Sequence, residues 1–166
     1  MKYVYLILFL IPLLISGQEA DYLNNHKKNK FRIEEINFLV KVSDSIGKIQ
    51  KEGISEGQII YNHISGNFGW TAYFLNDTEN KKQPLRIRYS ETQPKANEDL
   101  NLFYHNGILI FAELITTQTS RKSKGNKVLQ KHFYFDGKTV IYPDLTDSDI
   151  DYMLEKEKTI CKMIYR

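Results

Sequence analysis

Four histidines and one cysteine are the residues of this chain best suited to catalysis or metal binding, and their spacing matches no known site. They are His26, His63, His105, His132 and Cys161. Zinc ligands usually recur in C-x-x-C or H-x-x-x-H spacing, which is missing from the sequence. Cys161 lies on an apolar helical stripe, typical of a buried and inert thiol. The sequence therefore predicts no catalytic residue, no metal site and no cofactor.

Three aspartates near the carboxyl end match the start of a calcium-binding loop, at Asp147, Asp149 and Asp151. The match ends there, because Tyr152 occupies the position of the turn glycine and Lys158 that of the bidentate glutamate. Acidic residues are also expected in the first turn of a helix, where they oppose the helix dipole. We interpret them as a helix start.

A basic run without acidic residues separates two predicted strands, and its charges are Arg121, Lys122, Lys124 and Lys127. It is interpreted as a solvated hairpin tip. The alternative is a contact surface for an acidic polymer, anionic lipid headgroups or an acidic partner. The whole chain has a net charge of only +3, which does not favour nucleic-acid binding.

The amino terminus has the three parts of a secretory signal peptide. Lys2 is followed by an apolar run from Tyr3 to Ile15, and Ser16-Gly17 precedes the polar sequence that begins at Gln18. The run is shorter than the ~20 residues of a membrane span, although an uncleaved anchor is an alternative. We expect cleavage after Gly17 and export to the periplasm or the extracellular space, with membrane contact only before cleavage.

The remaining chain has the length of one domain. Residues 18–30 are polar and aperiodic and are predicted to be a flexible lead-in to a single α+β domain over residues 31–166. With one cysteine, an exported domain cannot form an internal disulfide and must depend on its hydrophobic core.

A helix is predicted near each end of this domain. Gly53 would end the first helix, and Thr146 or Ser148 would cap the second, since each has an aspartate three residues later. The segment Ile36 to Val42 could alternatively form a strand. The apolar residues at helical spacing are Phe38, Leu39, Val42, Ile46 and Ile49 in the first helix, and Ile150, Met153, Leu154, Ile160, Cys161 and Ile164 in the second.

The sequence between the helices predicts an antiparallel β-meander of about six to seven strands. Asn106-Gly107 and Asp136-Gly137 are strong hairpin signals, and no helix-length insert separates the strands, which excludes a doubly wound α/β fold. The strands are predicted at 58–64, 68–76, 84–91, 100–105, 108–119, 127–135 and 138–142.

A short aromatic pattern recurs at an offset of thirty residues. It consists of two aromatic residues, a variable residue, and Asn or Asp followed by Gly or Asp, in the segments Tyr73–Asp77, Phe103–Gly107 and Phe133–Gly137. Strand alternation predicts that the second aromatics, Phe74, Tyr104 and Tyr134, share one side of the sheet. Tyr104 and Tyr134 are the candidate binding residues of this surface. Alternatively, they only stabilise cross-strand packing.

Over residues 73–142 this pattern resembles the MORN-type hairpin repeats of bacterial proteins. The spacing here is longer than in that family, and Asp77 replaces the glycine of the first unit. Repeats of that family act as scaffolds or interaction surfaces, so the resemblance implies a binding role.

One strand, Ile108–Ala112, is apolar at every position. Such a strand is usually covered on both faces, and the two helices are the expected covers. Ile110 and Phe111 are predicted to be buried on opposite faces.

The sequence as a whole favours an exported, non-enzymatic binding module for an unknown protein or extracytoplasmic ligand. One alternative is a small hydrolase in which His105 or His132 meets a carboxylate in a concave pocket. Another is a lipid or small-ligand carrier with an apolar cavity between sheet and helix.

Overall fold

The computed structural model describes residues 27–60, 66–78, 80, 82–118, 126–137, 139–141 and 145–165. The chain divides between Glu35 and Ile36, and the packing described below is that of the second unit, from Ile36 onward. Helix α1 covers residues 27–47. Residues 27–30, which the sequence assigned to the lead-in, are therefore helical. The predicted signal peptide lies outside the described residues.

The predicted fold class is confirmed: a seven-stranded antiparallel meander has one helix before it and one after it. All neighbouring strands are consecutive in the chain. The strands are β1 Gly53–Ile59, β2 Phe68–Asn76, β3 Pro84–Thr92, β4 Ala96–His105, β5 Ile108–Gln118, β6 Lys127–Asp136 and β7 Thr139–Val140, and helix α2 is Asp147–Ile164.

Strand β1 differs most from its prediction, because it begins at Gly53 rather than at residue 58. Gly53 and Gly57 have low intrinsic strand propensity, but tertiary packing favours them here. A Cβ at Gly53 would lie 2.3 Å from the ring of Phe74, and one at Gly57 would lie 2.7 Å from the indole of Trp70. The two glycines allow aromatic rings of β2 to lie directly over β1. Of the predicted segment 58–64, residues 61–64 lie outside the described chain.

Helix α2 packs on one face of the sheet. Its residues Met153 and Ile160 are buried in a core cluster with Leu102 and Phe133. Thr146 forms the predicted capping box with Asp149: its hydroxyl accepts a hydrogen bond from the Asp149 amide, and its own amide donates to the Asp149 carboxylate.

Helix α1 packs on the opposite face, through Ile36, Leu39 and Val40. The strand alternative for this segment is wrong. Of the apolar residues at helical spacing, Leu39 packs on the sheet, but Phe38 and Ile49 are 64% and 91% exposed. The cluster under the helix contains Phe103, Ile110 and Phe111. The side of α1 that packs on this cluster is not the side with the most apolar residues.

Ile110 and Phe111 are both buried, as predicted, but they belong to the same cluster rather than to opposite faces. The pairing of β4 with β5 shifts by one residue there, since Phe103 lies opposite Phe111 and Tyr104 opposite Leu109. Ile110 is the extra residue of a β-bulge. A bulge reverses the alternation of side chains beyond it.

The same bulge separates the aromatic residues that the repeat placed together. Phe74 and Tyr104 belong to the cluster under α2, whereas Tyr134 packs with the cluster under α1. The prediction of one shared aromatic surface is therefore wrong.

Candidate ligand-binding site

The predicted binding residue Tyr104 is buried, with 4% of its surface exposed. Its hydroxyl donates to Glu157 Oε1 at 3.0 Å and lies 3.5 Å from Cys161 Sγ. Tyr134 is half-buried, and its hydroxyl donates to Asn37 Oδ1 of α1 at 3.1 Å. Both tyrosines thus join a helix to the sheet.

The basic run is only partly described. Arg121, Lys122 and Lys124 lie outside the described residues, and Lys127 is exposed at the start of β6, opposite Gln118.

A histidine–carboxylate pair does form on the sheet. His132 Nε2 lies 3.1 Å from Glu113 Oε1, and the same carboxylate accepts hydrogen bonds from Gln130 and Asn101, both at 2.7 Å. Burial alone would raise the pKa of Glu113, but these hydrogen bonds hold it below its ordinary value. The side chain of His132 is 42% exposed, and His105 is exposed at the end of β4. His26 and His63 are outside the described residues.

The thiol of Cys161 is suited to packing rather than to nucleophilic attack. Burial raises its pKa to about 12, and the nearby Glu157 carboxylate acts in the same direction. The thiol is thus protonated at neutral pH, and only the thiolate is a nucleophile or a metal ligand.

The aspartates at the start of α2 are used by the fold. Asp149 belongs to the capping box and accepts a hydrogen bond from Lys131 at 2.5 Å. Within the described ranges, His, Cys, Asp and Glu side chains form no group of three that could hold a metal ion.

The feature best suited to hold a ligand is a cavity of about 380 Å³ between α2 and the β1–β3 end of the sheet. Its lining residues are Gln58, Ile59, Ile60, Trp70, Tyr89, Glu91, Lys156, Thr159, Ile160 and Met163. Two other concavities, of about 430 and 520 Å³, lie at the β1–β2 end of the sheet and are lined by strand residues or residues next to the strands. The first adjoins the undescribed segment 61–65, as the α2 cavity does through Ile60. Of these three concavities in the described part of the chain, the α2 cavity is the one that combines a helix wall with a sheet wall.

The aromatic part of the cavity wall comes from β2 and β3. Trp70 lies opposite Gly57 in the strand register, and the missing Cβ of the glycine leaves room for the indole. The rings of Trp70 and Tyr89 are stacked, with centroids 6.1 Å apart and planes inclined by 22°. Both rings line the cavity together with Ile160 and Met163 of α2.

The polar part of the wall is formed by Glu91 and Lys156. They belong to an ion-paired group that also includes Glu98, which does not line the cavity. The Lys156 ammonium donates to Glu91 Oε2 and lies 3.2 Å from Glu98 Oε2. It also lies 5.5 Å from the centre of the Tyr89 ring. The two glutamates are 9% and 8% exposed, so two carboxylates and one ammonium are withdrawn from water together.

Hydroxyl groups complete this network. Tyr89 donates to Glu91 Oε2 at 2.7 Å, and the single hydroxyl of Tyr152 in α2 donates to the Glu98 carboxylate, 2.7 Å from Oε2 and 2.8 Å from Oε1. Burial would raise the pKa of Glu91, yet the hydrogen bonds from Lys156 and Tyr89 hold it below its ordinary value. Burial, with the adjoining Glu91, raises the pKa of Tyr89 well above its usual range. Glu91 is therefore a carboxylate and Tyr89 a neutral donor at neutral pH.

The patterns in the sequence did not predict this site, although the sequence contains a signal of it. Lys156 lies three residues after Met153 and four before Ile160, on the apolar stripe of α2. Glu98, Leu100 and Leu102 are at every second position of β4 and share its buried side. A charged residue on an apolar side usually has a buried partner.

The part of the chain that the structure describes includes no helix long and apolar enough to cross a membrane. No protein-family model, curated protein or solved structure matches this chain.

Proposed function

We propose that this chain is an exported, non-enzymatic binding module and that its ligand is a small molecule held in the α2 cavity. The observation that carries the proposal is the cavity of about 380 Å³, with an aromatic and aliphatic wall beside a buried polar group. Small-molecule sites in proteins are typically concave, mostly apolar, and supplied with a few fixed polar groups. The resemblance to hairpin repeats with interaction roles agrees with a binding function.

The polar groups of the cavity are better suited to binding than to catalysis. Lys156 is engaged by two carboxylates, and Glu91 accepts hydrogen bonds from Lys156 and Tyr89. An effective general base has a pKa near the working pH, whereas these hydrogen bonds hold the pKa of Glu91 below its ordinary value. This wall instead provides a fixed electrostatic environment for a ligand head group.

Ligand binding can be tested through Trp70, because it is the single tryptophan of the chain and lines the cavity. Titration with a library of small amphipathic molecules should change its fluorescence for the ligands that bind. The substitution Thr159→Phe would place a ring at the cavity wall and should abolish that change. The matched control Thr117→Phe, on a strand that does not line the cavity, should leave it intact. Responses that survive Thr159→Phe would contradict this location of the site.

Export is the second part of the proposal and rests on the signal-peptide pattern of residues 1–17. Mass spectrometry of the secreted or periplasmic protein should give a chain that starts at Gln18. Recovery of the full-length chain from the cytosol would contradict it.

A hydrolase is the second candidate, favoured by the 3.1 Å contact between His132 and Glu113. If this pair is catalytic, a screen with hydrolase substrates should find an activity in the parent protein that His132→Asn abolishes. Our proposal expects no such activity in the parent protein.

A further inference from the structure

We infer that the ligand of the α2 cavity carries a cationic ammonium group on an apolar body. The inference rests on the proposed binding function and adds the chemical class of the ligand. It follows from the charge of the cavity wall, from the aromatic rings beside it, and from an ammonium that the protein already binds there.

The charge of the buried group is unbalanced. Glu91 and Glu98 contribute two carboxylates, and Lys156 is the cation paired with both of them. A second cation would neutralise this group, whereas an anion would bring like charges together in surroundings of low dielectric constant. Glu91 and Lys156 line the cavity and Glu98 does not, so it is the ion-paired group as a whole that favours a cationic head group over a carboxylate such as that of a fatty acid.

Glu91 also has unused hydrogen-bonding capacity. Its Oε2 accepts from Tyr89 and Lys156, while Oε1 accepts from Gln93 at 3.1 Å. Since each carboxylate oxygen has two lone pairs, Oε1 can accept a further hydrogen bond. An ammonium is a suitable donor, because it carries up to three N–H groups.

The aromatic rings fit the same chemistry. A cation within about 6 Å of an aromatic ring is attracted to the negative face of the ring, and Lys156 already occupies this position at 5.5 Å from the Tyr89 ring. Trp70, stacked beside Tyr89, provides a second ring of the kind that attracts cations most strongly. The apolar part of the ligand would lie against Ile160 and Met163.

The test compares three probes that share one alkyl chain: octylammonium, octanoate and octanol. Each is titrated into the mature chain at neutral pH and followed by Trp70 fluorescence, with Thr159→Phe as the correction for binding elsewhere. We expect octylammonium to bind at least about tenfold more tightly than the other two probes. Equal or tighter binding of octanoate or octanol would overturn the cationic ligand while supporting a small-molecule site. No binding of any probe would also overturn it, and the library titration would then decide the binding function separately.

Two substitutions test the role of the carboxylates. Glu91→Gln should weaken octylammonium binding by about tenfold and leave octanol binding unchanged, and Glu113→Gln, outside the cavity, should change neither. If Glu91→Gln does not fold, Lys156→Met provides the converse measurement, since it removes the resident cation and keeps the length of the side chain. It should strengthen octylammonium binding. A loss of octylammonium binding in Lys156→Met, or unchanged binding in Glu91→Gln, would overturn the inference.

Discussion

Ile110 and Phe111 are consecutive residues of β5, and both side chains are buried in the same cluster beneath α1. In a regular strand they would point to opposite faces of the sheet. The bulge opposite Phe103 and Tyr104 turns both toward α1. It also exchanges the faces of every later residue, which places Phe133 under α2 and Tyr134 under α1. The extra residue of the bulge thus determines which side chains of β5 and β6 enter each of the two core clusters.

The first prediction concerns the stability provided by this bulge. Ile110 is 3% exposed and Ile108, in the same strand, is 55% exposed. Ile110→Ala should lower the free energy of unfolding by about 2–5 kcal/mol, because it leaves a cavity in the cluster beneath α1. Ile108→Ala should lower it by less than about 1 kcal/mol. Urea denaturation measures both, and similar losses would show that Ile110 is not packed as described.

A second prediction compares two arginines that share one carboxylate. Arg86 donates to Asp44 at 2.5 Å and to Glu52 at 2.8 Å with its side chain 9% exposed, whereas Arg88 reaches Glu52 with its side chain 47% exposed. Removing one partner of a buried ion pair costs about 3–5 kcal/mol, and an exposed pair contributes about 0–1 kcal/mol. Arg86→Met should therefore destabilise the fold several times more than Arg88→Met in thermal or urea unfolding. Equal effects would contradict the structural role of Arg86.

The third prediction is acid sensitivity of the charged group beside the cavity. The pKa of Glu91 is below its ordinary value because Lys156 and Tyr89 outweigh the effect of burial. Its stabilisation is complete above the unfolded-state pKa, about 4.3, and is lost as the pH falls through the lower folded-state value. The free energy of unfolding should decline below about pH 4.3 and decline less steeply in Glu91→Gln. Glu52 and Glu113 have pKa shifts of the same direction, so some decline persists. An unchanged slope in Glu91→Gln would contradict the prediction.

A fourth prediction addresses the reactivity of Cys161. With its pKa raised to about 12 by burial, the thiol has almost no thiolate at pH 8, and alkylation requires the thiolate. Iodoacetamide should modify the native protein at least about tenfold more slowly than the protein unfolded in urea, as followed by mass spectrometry. Comparable rates would show an accessible thiolate in the folded chain.

Local patterns in the sequence were sufficient for several elements. Strand β2 has the predicted bounds, Phe68–Asn76, and Thr146 caps α2 as predicted. The Asn106-Gly107 turn has φ values of 53° and 74°, as expected for the tight hairpin turn that this dipeptide favours. These features depend on neighbours within a few residues, so the amino-acid types alone predict them.

The sequence by itself therefore determined the antiparallel meander, its helical flanks and its tightest turn. Tertiary structure decided the start of β1, where aromatic rings of β2 cover two glycines, and the buried side of α1. It also decided the cavity, which brings Trp70 from β2 and Glu91 from β3 against Lys156 of α2. These relationships join residues far apart in the chain. The free energies of these contacts arise only when packing excludes water from the side chains. Strand propensity and hydrophobic periodicity therefore do not predict them.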